Sequence, residues 1–152
     1  LRLTSGEGFS LSAHPLAQPV AILAAWTFVI FFWMYVTRIP AMLKAGIDLK
    51  NLRGGTGASL DQKLPAKVQW KAHNYNHLLE QPTIFYAVAL LLIVTRCDSD
   101  AAVTLAWGYV GLRVAHSLLQ ATVNITRFRF LLFFAASLSL LGLVIVALIH
   151  LF

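Results

Sequence analysis

Charge is almost absent from four long stretches of this chain, and that absence decides the class of molecule. The apolar runs at residues 16–36, 79–94, 101–119 and 130–152 carry only Glu80, Arg113 and His116 as ionisable groups at depth. A charge at the bilayer centre costs about 2.5–3.5 kcal/mol on insertion scales, so it persists chiefly where it faces a partner or a cavity. Strand-like alternation is missing as well: the stretches 21–35 and 131–149 do not alternate in polarity, which excludes a transmembrane β-barrel. Cysteine is limited to Cys97, so no internal disulfide can form. At the end of an apolar run it reads as a small packed residue, because a reactive thiol needs an electropositive and accessible setting. No run of Lys and Arg is interleaved with aromatics, so the net charge of +6 does not point to nucleic acid.

What is present is apolar bulk. The 152 residues are 59% hydrophobic with a mean hydropathy of +0.73, against about 45–50% apolar usage in soluble domains. The expected fold is an all-α integral membrane protein, a four-transmembrane-helix bundle in a single domain over 1–152, with spans near 16–36, 70–95, 101–121 and 130–152. Each approaches the roughly 20 residues needed to cross about 30 Å of hydrocarbon. Seven of the twelve basic residues (Arg38, Lys44, Lys50, Arg53, Lys63, Lys67, Lys71) lie between the first two apolar runs, and Arg127 and Arg129 between the last two. The positive-inside rule then puts both loops in the cytoplasm, and both termini and the acidic turn Asp98-Ser99-Asp100 on the non-cytoplasmic side. Anionic head groups of membrane lipids are natural partners for these loops. The stretch before the first span, 1–15, has no apolar core and is not expected to be a signal peptide, and the missing initiator Met suggests a trimmed start.

Residues 51–59 are rich in glycine but lack the spacing and the closing Lys-Ser/Thr of a phosphate loop, so a flexible linker is expected. Pro40 and Pro65 fit the ends of helices flanking this loop. Asn124-Ile125-Thr126 matches a glycosylation sequon, which the expected topology places in the cytoplasm and makes incidental.

On a helix starting near Ala66, His73, then Asn76 or His77, then Glu80 share one face; Arg113 and His116 form a second polar face on the third span. Opposed, these faces would gather a carboxylate, a guanidinium and imidazoles in one pocket, with Arg38 at similar depth. One reading is a buried Glu80–Arg113 ion pair that fixes helix register. Another is a site for an anionic ligand that also carries an ammonium group, such as a peptide, since Arg matches carboxylates and Glu80 accepts from ammonium. A metal held by His73, His77, Glu80 and His116 has helical ligand spacing, opposed by the cation Arg113 one turn from His116.

At these residues the chain resembles the MAPEG family, the membrane-associated proteins of eicosanoid and glutathione metabolism, and in particular its bacterial branch. The resemblance lies in His77-Leu78-Leu79-Glu80-Gln81-Pro82-Thr83-Ile84-Phe85-Tyr86, in Leu112-Arg113-Val114-Ala115-His116-Ser117-Leu118, and in Asn124 followed by Arg127-Phe128-Arg129-Phe130. It implies a homotrimer in a bacterial inner membrane with glutathione as ligand at subunit interfaces. Carried over by position, Glu80, Arg113 and His116 would bind glutathione, Arg38 would come from a neighbouring subunit, and Arg127 or Arg129 would be catalytic, holding the thiolate. The chain departs from the family where His77 replaces a usual Asn, His73 an Arg of the catalytic members, Gln120 a ligand-contacting Tyr, and Phe130 a Ser found in some members. Two functions follow as expectations: a glutathione-dependent transferase or peroxidase, with a lipophilic electrophile passing from the bilayer along Phe128, Phe130, Phe133 and Phe134; or a non-catalytic subunit or lipid-binding scaffold, for which a larger membrane complex is a candidate partner.

Overall fold

A computed structural model describes residues 14–48, 50–51, 53–97 and 99–152. Most of the stretch before the first span, together with Asp98 of the acidic turn and Leu52 of the glycine-rich loop, lies outside the described residues. The described residues hold five α-helices, α1 (Ala17–Lys44), α2 (Ala66–Leu79), α3 (Pro82–Val94), α4 (Asp100–Thr122) and α5 (Thr126–Leu151), and no strand among them. The protein is an all-helical integral membrane protein. Among the described residues α1, the α2–α3 unit over Ala66–Val94, and α5 are long and apolar enough to cross a membrane. Helix α4, at 23 residues, has the length, but Arg113, His116, Ser117 and Gln120 dilute its apolar surface, and it is not among them.

Helix α1 runs past Pro40 to Lys44, one turn beyond the end expected at that proline. Pro40 forfeits one backbone hydrogen bond, yet Thr37 Oγ1 donates to the carbonyls of Trp33 (2.9 Å) and Met34 (3.1 Å) just upstream. The helix stops at Gly46, whose φ of +68° lets the Gly46 and Ile47 amides turn back onto Leu43 and Met42, closing the last turn as left-handed caps do. At 1.5 Å per residue its 28 residues span about 42 Å. That exceeds the hydrocarbon thickness, so its Lys44 end reaches the head-group level. The loop that follows is less free than its glycines suggest: a 3-10 turn at Ala58–Leu60 buries Leu60, and Leu64 is buried too. Pro65 sits just before α2 with ψ +138°.

The span expected at 70–95 is broken. Proline at position 82 lacks the N–H that would bond the Leu78 carbonyl, and its ring crowds that carbonyl. The helix ends at Leu79, Glu80 turns out at φ −86°, ψ −96°, and Pro82 restarts it as the first residue of α3. Ser99 Oγ caps α4 by accepting from the Ala102 amide at 3.3 Å, and Asp100 in the first turn suits the positive helix end.

Helix α4 is the hub. It packs most extensively on α5 and also on α2 and α1. Small residues permit this: Ala102, Ala106, Ala136 and Ala147 are buried, and a Cβ at Gly142 would stand 3.1 Å from Leu105, so glycine there sets the interhelix distance. Phe85 of α3 stacks on Tyr109 of α4 with ring centroids 4.8 Å apart.

Candidate functional site

The break at Glu80 organises the polar centre. With the helix interrupted, the His77 carbonyl becomes available and Arg113 Nη2 donates to it at 2.6 Å. Arg113 is wholly buried; its Nε and Nη1 have no partner, while its guanidinium carbon lies 5.6 Å from the Phe133 ring centroid. Glu80 does not form the expected ion pair with Arg113. Its carboxylate, freed from the helical face by the break, is 67% exposed and bonds His77 Nδ1 at 2.8 Å. The His77 ring lies 5.1 Å from that of His116 and 5.0 Å from Phe133.

His77, His116, Thr126, Arg129, Phe130 and Phe133 line a cleft of about 220 Å³. The turn between α4 and α5 aims Arg129 at it: Asn124 adopts φ +57°, a conformation Asn tolerates, and its Oδ1 accepts from Arg129 Nη1 at 2.6 Å. Two nitrogens near the cleft are unspent, since Arg129 Nε and His116 Nδ1 are buried without a partner. The cleft thus joins a cationic side chain and two imidazoles to an aromatic flank. Phe130, 64% exposed, stacks on exposed Phe134.

Other expected site residues lie elsewhere. His73 faces the interhelix loop, its Nε2 3.0 Å from Asp61 Oδ1, the oxygen that also accepts from Gln69 Nε2 at 2.7 Å. Asn76 is exposed and does not line the cleft. Gln120, one turn beyond His116, is buried with Oε1 unpartnered and outside the lining. Arg127 is exposed beside the cleft without lining it. Arg38 donates through Nη2 to Gly57 O at 2.8 Å within its own chain. Phe128, exposed, does not line the cleft either. With His73 drawn to Asp61, no group of three His, Cys, Asp or Glu residues that could hold a metal exists among the described residues.

A second polar layer escaped the sequence reading. Asn74, fully buried, donates through Nδ2 to Ser117 Oγ (2.7 Å) and Ser117 O (3.1 Å), and Trp26 Nε1 donates to the same Oγ at 3.0 Å, tying α1, α2 and α4. Gln81 at the break donates to Ser137 Oγ at 2.9 Å. The available signal was the three-residue step from Asn74 to His77, which puts both near one face. Counting back from Glu80 as though the helix were continuous selected Asn76 instead.

Compared with family models, residues 16–149 match that of the MAPEG family. Comparison with curated proteins and with solved structures finds no match.

Proposed function

The chain belongs to the MAPEG family, and from that premise we propose that it binds glutathione at the His77–His116–Arg129 cleft and adds its thiolate to a lipophilic electrophile arriving from the bilayer. The observation that carries this reading is Arg129, held at the cleft by Asn124 with its Nε–H unspent. A guanidinium beside a thiol lowers its pKa from about 8.5 and raises the nucleophile population at neutral pH. Glu80, exposed and bonded to the lining residue His77, would accept the ammonium group of the peptide. Arg113 acts behind the cleft as a positioning residue, fixing the His77 backbone, and Arg38, spent on Gly57 O of its own chain, stands outside the cleft.

We extend the proposal to the assembly: a homotrimer in a bacterial inner membrane, α4 as a fourth span, and both termini non-cytoplasmic. The fourth span is supported by the hydrogen-bond contact of His150 Nε2 at the end of α5 with Thr95 O at the end of α3, 3.2 Å apart. The start of α4 and the end of α5 then lie at one end of the bundle. A scaffold that keeps the fold without catalysis is favoured by one observation, that the buried guanidinium of Arg113 is engaged inside the chain.

One experiment separates the two. Purified protein in mild detergent should have the native mass of three chains, show a higher melting temperature in millimolar glutathione, and conjugate chlorodinitrobenzene. A trimer with neither a melting shift nor conjugation leaves the scaffold reading, and a monomer removes the assembly.

A further inference from the structure

Arg38 is the first charged residue after the apolar run of α1. A cavity of about 240 Å³ there is lined by the apolar side chains of Met34, Ile39, Met42 and Leu60. Arg38, Gly55, Thr56 and Gly57 also line it. One N–H of the guanidinium is used on Gly57 O, while Nε is buried with no acceptor. The amides of residues 55–57 likewise donate to no acceptor among the described residues. Residues 55–57 are exposed, and their unspent amides beside the guanidinium form a ready donor site for an oxyanion. Lys44, exposed one and a half turns further along α1, keeps the approach positive.

We propose that this cavity is a binding site for one anionic phospholipid, its phosphate held by Arg38 and the amides of residues 55–57 and the first part of an acyl chain lying on Met34, Ile39, Met42 and Leu60. A bilayer lipid fits better than a soluble anion because the cavity offers apolar and cationic walls at the depth where a phospholipid carries both features. The site shares no lining residue with the His77–His116–Arg129 cleft and goes beyond the glutathione reading, so it stands or falls without it.

The test is native mass spectrometry of the full chain in detergent, titrated with phosphatidylglycerol, with phosphatidylcholine of the same chains, with oleate, and with inorganic phosphate. One phosphatidylglycerol per chain should be retained in preference to the other three. Arg38→Gln should cut retention about tenfold or more, as loss of one partner of a desolvated charge pair does. Met42→Trp, which fills the apolar side and leaves the guanidinium in place, should do the same and decides the matter if Arg38→Gln does not fold. Lys44→Gln should leave retention within about twofold, as expected of a rim charge. Equal retention of phosphatidylcholine, preference for oleate or phosphate, indifference to both cavity variants, or a loss on Lys44→Gln as large as on Arg38→Gln would each overturn the site.

Discussion

Two arginines two residues apart, Arg127 and Arg129, illustrate how placement, not residue type, assigns a role. Arg127 and Arg129 both precede the last apolar run, and the sequence could not choose between them. The structure distinguishes them by the Asn124 bond, which orders Arg129 at the cleft while Arg127 stays exposed. If the transferase reading holds, Arg129→Ala should lower kcat by about 100-fold, in the range for removal of a group that stabilises developing negative charge, with a smaller change in KM. Arg127→Ala should change neither by more than about twofold, as for surface substitutions, and Asn124→Ala, which breaks the same turn contact without removing the charge, should fall between. Steady-state conjugation kinetics at fixed detergent check this; equal losses at Arg127 and Arg129 would return the assignment to diffuse charge. Arg113 was legible as important because a lone cation inside an apolar run is rare, but its partner was not. Its acceptor is a main-chain oxygen made available by a break 33 residues upstream, and no side-chain pattern encodes that.

At the scale of elements, hydropathy makes the helices readable because lipid and core select the same apolar residues along whole turns. Pro82 hinted at the break, yet only the observed backbone shows Glu80 swung out of the helical face, and this is why a stripe counted through Glu80 misplaced Asn76 and passed over Asn74. The Arg38–Gly57 contact, 19 residues apart through an irregular loop, leaves no periodic trace either. If the break exists to present the His77 carbonyl to Arg113, restoring the helix should harm the molecule even though proline is a poor helix former. In Pro82→Ala the amides of residues 81 and 82 regain helical acceptors, and Arg113 loses its acceptor while still buried. A net destabilisation of about 1–3 kcal/mol follows from the orphaned donor. Thermal or denaturant unfolding in detergent of Pro82→Ala, Arg113→Leu and the pair measures the coupling, expected to exceed about 0.5 kcal/mol because the two changes act on one contact. Additive effects would separate the break from the arginine.

For the whole molecule, the decisive question is whether α4, the least apolar of the long helices, crosses the bilayer. Its polar residues Arg113, His116, Ser117 and Gln120 are all buried, so the surface it would offer to lipid is far more apolar than its composition. The cost of burying them is met inside the bundle, as hub packing on three helices allows. Connectivity turns this into a measurable outcome. With four crossings, residue 53 in the α1–α2 loop and Phe152 lie on opposite sides of the membrane; if α4 stays on one surface, α5 reverses and the two lie on the same side. Cys97 is buried, and a Cys97→Ser background removes it as a labelling site. In that background Arg53→Cys and Phe152→Cys should react with a membrane-impermeant maleimide from opposite faces, Arg53→Cys from the cytoplasm as the basic loops require and Phe152→Cys from the other side. Labelling of both from the cytoplasm would reduce the molecule to three spans. Labelling on opposite faces with Phe152→Cys cytoplasmic would keep four crossings and invert the charge-based orientation.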